Sequence, residues 1–144
     1  MTTGTVTRAL ARTLLPALVF ALSIDRPTIP FGTVDPGGSV ELLDRHTVTV
    51  VADDGAVWYL KVRHFGDVPG LTLSYRASGG RGTGAPAWTP IAEFPSLAYT
   101  SSVAEGTTGA LGVPLMFSYR LEAAADAEAG ESSWILTYTL SVAP

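Results

Sequence analysis

The sequence predicts an all-β protein built as a two-layer antiparallel β-sandwich of about seven or eight strands. Short runs rich in β-branched and aromatic residues recur at a spacing of roughly 10–15 residues. Most of the 15 Gly and 10 Pro lie between these runs, where turns are expected. The sequence shows no amphipathic stretch long enough to form a helix that covers a sheet. A closed β-barrel is the alternative architecture.

Length and charge narrow the classes of function. The 144 residues suit one domain with a single core. Nine Lys and Arg against 13 Asp and Glu give a net charge of −4, which excludes a general electrostatic attraction to nucleic acid. The absence of Cys excludes disulfides, thiolate nucleophiles and thiolate-bound metals.

The N-terminal segment has the order of features found in a secretory signal. Arg8 and Arg12 precede a compact apolar run, Leu14–Ala21. Val19 and Ala21 supply the small residues expected before a cleavage site. The run is shorter than the roughly 20 residues that a membrane-spanning helix needs, so no integral membrane segment is expected.

Two domain interpretations follow from this segment. In the first, residues 1–21 are a signal peptide that is removed, and residues 22–144 form the sandwich. In the second, the segment is retained and Leu18–Ile24 forms an edge strand behind a frayed tail. An extracellular or cell-envelope location follows from the first interpretation.

The first half of the domain contains a clear alternation. Trp58, Leu60 and Val62 share one face of a predicted strand, which is typical of a half-buried strand. Pro27 and Pro30 each remove a ladder donor, so the segment around them is an edge or irregular strand. The predicted elements are that strand at Ile24–Val34, a turn at Asp35–Gly38, a strand at Leu42–Val51, an Asp-Gly hairpin turn at Ala52–Gly55 and a strand at Val57–Phe65.

The second half ends in the strongest strand signals of the chain. In Trp134–Val142 the large apolar residues fall on one face and the hydroxyl residues mostly on the other. The stretch Ala77–Pro90 is rich in Gly and is predicted to be an exposed, mobile loop. The other elements are a strand at Leu71–Tyr75, an irregular strand at Ile91–Thr100, a turn at Glu105–Gly109, a strand at Val113–Leu121 and a hairpin loop at Glu122–Gly130.

The two histidines are candidate metal ligands. If their strands paired across the Asp-Gly hairpin, His46 and His64 would come close together, with Asp44 as a conceivable third ligand. Each histidine also follows an arginine, Arg45 or Arg63, which favours solvated strand positions without a metal. We therefore predict no metal and no cofactor.

Catalytic motifs are not found in the sequence. The glutamates are scattered over predicted loops and strand ends, as expected of a solvated surface rather than of a paired carboxylate site; they are Glu41, Glu93, Glu105, Glu122 and Glu131. No Gly-x-Ser-x-Gly elbow is present. The run Gly79–Gly84 lacks the Lys-Ser/Thr of a phosphate loop and is interpreted as flexible. The prediction is a protein that is not an enzyme.

The three tryptophans divide into two groups. Trp58 and Trp134 share strand faces with aliphatic residues and are predicted in the core. Trp88 lies in the Pro- and Gly-rich stretch, where a core position and an exposed binding position are both open. Trp88 and Arg81, which precedes it in the same stretch, are the predicted ligand-binding residues.

Two regions carry a family resemblance. Ile29–Gly38 looks like the Phe-Gly-x-Val-x-x-Gly opening of immunoglobulin-like and bacterial surface sandwiches. Tyr138–Pro144 resembles the closing strand of WxL-type cell-surface domains, and Trp58–Leu60 matches their Trp-x-Leu element. The sequence departs from that family because Tyr138 stands where the second Trp belongs. Spore-coat and pilus-like secreted sandwiches have similar ends.

The resemblance implies a secreted bacterial or archaeal β-sandwich. The expected function is a non-catalytic structural or adhesive role at the cell surface, in which copies of the chain self-assemble into an oligomer or filament. The alternative is a carbohydrate- or cell-wall-binding module that uses Trp88 and neighbouring loops. The expected partners are therefore other copies of the chain or a cell-wall polymer, and not nucleic acid.

Overall fold

The structure is a computed structural model that describes residues 2–11, 20–66 and 69–144. Ten strands lie in this part of the chain: β1 Thr2–Ala11, β2 Phe20–Ile24, β3 Thr28–Pro30, β4 Ser39–Ala52, β5 Tyr59–Phe65, β6 Leu71–Ser78, β7 Ala85–Pro90, β8 Ser96–Thr100, β9 Val113–Ala123 and β10 Ser132–Ser141. The helical content of the described residues is one 3₁₀ turn, Ala104–Gly106.

The strands form two five-stranded sheets that pack face to face, which confirms the all-β sandwich. Sheet A has the order β3-β1-β10-β5-β8, and sheet B has the order β2-β4-β9-β6-β7. All pairs are antiparallel except β1 with β10, which is parallel. The strand count exceeds the predicted seven or eight for three reasons. β1 comes from the predicted signal peptide, β3 from the predicted irregular strand and β7 from the predicted loop.

The core lies between the inner faces of the two sheets. Trp58 and Trp134 are buried, as predicted, with exposed fractions of 0% and 2%. The alternation in β5 and β10 is confirmed, since their inward residues are buried and their outward residues are mostly half-buried or exposed. Removing these apolar and aromatic side chains from water is the main stabilisation of such a sandwich.

The predicted hairpin at Ala52–Gly55 is wrong. Gly55 does adopt the left-handed backbone of a tight turn, with φ of 77°. However, β4 pairs with β2 and β9 in sheet B, whereas β5 pairs with β10 and β8 in sheet A. The turn therefore carries the chain from one sheet to the other. The segment Glu122–Gly130 does the same between β9 and β10, so it is not a hairpin loop either.

The stretch Ala77–Pro90 is more ordered than predicted. Its second half is β7, which pairs with β6 from Ala77 opposite Ala85 to Ser74 opposite Pro90. β7 is the edge strand of sheet B, and an edge strand tolerates Pro86 and Pro90 because one side of its backbone needs no ladder donors. The high proline and glycine content of this stretch therefore led to the prediction of a loop where the structure has an edge strand.

The N-terminal segment enters both sheets in the structure. β1 lies between β3 and β10 in sheet A, and β2 is an edge strand of sheet B. The apolar run Leu14–Ala21, on which the signal-peptide interpretation rests, falls mostly outside the described residues. Whether residues 1–21 are removed stays a prediction. The described residues contain no helix long and apolar enough to cross a membrane.

Candidate functional site

Trp88 lies on the outer face of the edge strand β7. It is half-buried, and the guanidinium carbon of Arg76 lies 4.1 Å from the centroid of its ring. A cation over the face of an indole is attracted by the negative charge of the ring face. Trp88 is therefore neither a core residue nor a fully exposed platform, because Arg76 occupies one of its two faces.

Arg81 lies in the turn that joins β6 to β7, and its side chain is exposed. Its backbone N–H donates to Oε2 of Glu105 at 3.0 Å. A shallow cleft of about 340 Å³ opens beside this contact and is lined by Gly80, Arg81, Ala104, Glu105, Thr107, Thr108, Gly112, Val113 and Pro114. Trp88 is not among the residues that line this cleft. The structure therefore does not bring the two predicted ligand-binding residues into one pocket.

Glu105 is buried, with an exposed fraction of 6%. The prediction that it lies on the solvated surface is therefore wrong. Its carboxylate accepts hydrogen bonds from the Tyr99 hydroxyl at 2.7 Å, from the Ser102 N–H at 2.8 Å and from the Arg81 N–H. The Tyr99 hydroxyl in turn accepts from the Gly82 N–H at 2.7 Å. These bonds fasten the glycine-rich turn to the body of the sandwich, so the turn is pinned rather than free.

The hydrogen bonds set the ionisation of both groups. Burial by itself raises the pKa of the Glu105 carboxyl, but the bonds from Ser102, Arg81 and Tyr99 outweigh it and hold that pKa below its ordinary value. Burial, assisted by Glu105, raises the pKa of Tyr99 to about 12. A carboxylate that is ionised and already accepts three donors is suited to holding a loop in place rather than to accepting a proton from a substrate.

His46 is the second residue whose environment differs from the expectation. It was predicted at a solvated strand position, but it is 1% exposed in the core. Its Nε2 is hydrogen-bonded to the Tyr119 hydroxyl at 2.5 Å and to the Tyr138 hydroxyl at 3.2 Å. The two tyrosine hydroxyls are also hydrogen-bonded to each other. Phe117 packs edge-on against the imidazole at 5.6 Å between ring centroids.

Burial controls the protonation of this cluster. It lowers the pKa of His46 to about 4 and raises the pKa of Tyr119 and of Tyr138. All three groups are therefore neutral near pH 7. Neutral, mutually hydrogen-bonded polar groups can be accommodated in an apolar core without an unpaired charge.

The conceivable pairing of the two histidines does not occur. His46 lies on β4 in sheet B, and His64 lies on β5 in sheet A. Within residues 2–11, 20–66 and 69–144, no group of three or more His, Cys, Asp or Glu side chains is placed to hold a metal ion.

The chain matches no protein-family model and no curated protein. The resemblance to WxL-type, spore-coat or pilus-like surface domains therefore stays a prediction from the residues that carry it.

Proposed function

We propose that this chain is a non-catalytic structural domain of the cell envelope or the extracellular space, and that its copies assemble by exchanging β1. The observation that carries the proposal is the position of β1. The first strand of the chain forms an inner strand of sheet A, between β3 and β10. Its pairing with β10 is the one parallel pairing among the described strands. The pairing covers nine residue pairs, from Thr2 with Ser132 to Ala11 with Leu140.

A strand in this position can be exchanged without loss of contacts. Copies that trade an N-terminal strand keep the same hydrogen bonds and packing, so the exchange costs little beyond the entropy of association. Repeated exchange in one direction from copy to copy would give an open filament, whereas reciprocal exchange would give a closed dimer.

Removal of β1 from the chain would also favour the addition of a strand at β10. The predicted signal peptide, residues 1–21, includes all of β1. If it were removed, β10 would present a row of unpaired N–H and C=O groups along one edge, and such an edge recruits a strand from another chain. Exchange of β1 itself requires that residues 1–21 are retained; after their removal, copies would have to join by pairing the open edge of β10 with an edge strand of another copy.

A non-catalytic role is supported by the way in which the buried polar groups are used. Glu105 and Tyr99 hold the turn between β6 and β7, and His46 is bonded to two core tyrosines. Export is supported by the order Arg8, Arg12 and then the apolar run Leu14–Ala21.

The test mixes two variants of the full chain, each with one cysteine, in a protein that otherwise has none. One copy carries Thr5→Cys and the other carries Ile135→Cys, because Thr5 is the register partner of Ile135. Exchange of β1 predicts a disulfide-linked heterodimer after mild oxidation. A control pair joins Thr5→Cys with Leu111→Cys, which lies outside sheet A and is 93% exposed. Equal cross-linking of the two pairs, or none with Ile135→Cys, would contradict the proposal.

A carbohydrate-binding module remains the second candidate, and one observation favours it. Trp88 and Arg76 form a fixed aromatic–cation pair on an outer sheet face, with one ring face of Trp88 not taken by Arg76. Aromatic faces of this kind stack on apolar ligand surfaces. Trp88→Ala should abolish sedimentation with an insoluble polysaccharide such as cellulose or chitin. The control Phe94→Ala, which removes an aromatic side chain that is 70% exposed, should not. If the wild type stays in the supernatant, this second function is wrong.

A further inference from the structure

The outer face of sheet A has an uneven distribution of charge. None of its five strands contains an Asp or a Glu, although the whole chain carries 13 acidic residues and a net charge of −4. β5 contributes Lys61 and Arg63 to the outer face. In the described part of the chain, neither of them makes an ion pair. This face is therefore a local site of unneutralised positive charge on an acidic protein.

The residues around these cations are polar and aromatic. The register places Arg63 opposite Thr137 and Lys61 opposite Thr139 on β10. Phe65 lies next along β5, and the Arg63 guanidinium carbon is 4.3 Å from the centroid of its ring. Lys61 and Arg63 are separated along the strand by about 7 Å, since alternate residues share a face.

Among the described residues, an acidic side chain marks one end of this face. The His64 N–H donates to the carbonyl of Ala92, so Glu93 follows at the Phe65 end of β5. Towards the other end, β5 continues through Lys61 to Tyr59, which pairs with Ser141. The positive face thus extends along β5 from Arg63 towards Tyr59.

We propose that the outer face of sheet A binds an acidic polysaccharide that lies along β5. Lys61 and Arg63 would contact successive carboxylates of the polymer, and the half-buried Thr139 would exchange hydrogen bonds with a sugar hydroxyl, whereas Thr137 is buried. This site is separate from Trp88, which lies on sheet B. It does not depend on strand exchange, because β5 and β10 carry these side chains whichever copy supplies β1.

The size and chemistry of the face favour this ligand over other partners. The two cations lie within three residues of one strand, a much smaller patch than the roughly 800 Å² that each partner buries in a standard protein–protein interface. Two copies stacked through this face would bring like charges together. A lipid surface would have to desolvate the hydroxyl of Thr139 without giving it a partner.

The experiment measures binding of the full chain to polygalacturonate by isothermal titration calorimetry at about 50 mM NaCl, where charge screening is moderate. The variant Lys61→Gln with Arg63→Gln should bind at least about tenfold more weakly, since each charge-assisted bond is worth more than an ordinary one. The matched control Arg26→Gln with Arg45→Gln removes the same charge from exposed positions outside sheet A and should stay within about twofold of the wild type.

A second measurement does not depend on how the variants fold. Amide chemical shifts of the ¹⁵N-labelled wild type, titrated with polygalacturonate, should move in residues 59–65 and 135–141. Equal losses in both double variants, shifts centred on Arg76 and Trp88, binding that is equally strong to neutral dextran, or a wild type that does not bind polygalacturonate would each overturn the proposal. Binding to phosphatidylglycerol vesicles but not to polygalacturonate would also overturn it, in favour of a lipid surface.

Discussion

Tyr119 and Tyr138 reach His46 from strands in different sheets, so this cluster connects the two layers of the sandwich through polar atoms inside an apolar core. The cluster was not predicted, because the neighbouring Arg45 favoured a solvated position for His46, although His46 keeps the inward alternation of Leu42 and Val48. β4 contains two extra residues between Leu42 and His46 relative to β9, and Asp44 has a φ of 49°. Because the number of inserted residues is even, Leu42 and His46 stay on the same inward face, and residues 43–45 between them are exposed.

The buried imidazole predicts a specific dependence of stability on pH. In the unfolded chain His46 has a pKa near 6.5, whereas in the folded chain the pKa is about 4. Below pH 6.5 the unfolded state therefore takes up a proton that the folded state does not bind. The free energy of unfolding should fall by about 2 kcal/mol from His46 alone between pH 7.5 and pH 5.

Urea denaturation followed by tryptophan fluorescence at these two pH values measures this loss. The variant His46→Phe should lose about 2 kcal/mol less than the wild type over the same interval, because it has no group that titrates at this position. The variant His64→Gln retains His46 and should retain its contribution. An identical pH dependence in His46→Phe and the wild type would contradict the assigned role of burial.

At the scale of elements, alternation in the sequence identified the inward face of a strand but not its partners. In β9 and β10 the apolar residues are regularly spaced, and the core faces were predicted well. The same pattern cannot distinguish a hairpin from a crossing between sheets, because both need the same turn residues. The connections β4 to β5 and β9 to β10 were therefore assigned wrongly. Glu105 was missed because nothing in its local sequence indicates that Tyr99 and the turn at Arg81 fold over it.

The turn between β6 and β7 depends on glycines that allow close backbone approach. A Cβ on Gly82 would overlap the carbonyl oxygen of Thr100 and lie 2.8 Å from the Tyr99 hydroxyl. Gly82→Ala should therefore lower the free energy of unfolding by about 2–3 kcal/mol, as expected for overpacking against backbone. Gly109→Ala is the control: φ at Gly109 is 71°, but a Cβ there would meet no atom within 4 Å. Its cost is backbone strain alone, of about 1 kcal/mol.

Chemical denaturation of the two variants gives the comparison directly. A loss in Gly82→Ala no larger than that in Gly109→Ala would show that the turn moves away from Tyr99 and Thr100 at little cost, and that the pinned geometry is not required.

At the scale of the molecule, the two sheets differ in how they are completed. Sheet B takes its five strands from residues 20–123, whereas sheet A needs strands from near both ends of the chain. For a retained N-terminal segment, the sequence predicted an edge strand at Leu18–Ile24 behind a frayed tail. The structure instead places the Thr-rich β1 beside β10. Composition did not reveal this, because a strand formed by pairing with a distant segment leaves little local signal.

The dependence of sheet A on β1 predicts the behaviour of a shortened chain. Deletion of residues 1–11 should expose the edge of β10 and lower stability by more than about 3 kcal/mol, which for a domain of this size lowers the Tm by roughly 10 °C. The shortened protein should also self-associate in light scattering. A synthetic peptide of residues 2–11, added in excess, should restore a monomer with a Tm close to that of the full chain, since a ligand that binds only the folded state stabilises it.

The control peptide carries Val6→Pro and Leu10→Pro, which remove ladder donors while leaving length and charge unchanged, and it should not rescue. A shortened chain that stays a monomer with an unchanged Tm would show that β10 does not need a partner strand, and the proposed exchange of β1 would then lose its driving force. Rescue by both peptides would show that the slot beside β10 binds extended chains without the register that pairs Thr2 with Ser132.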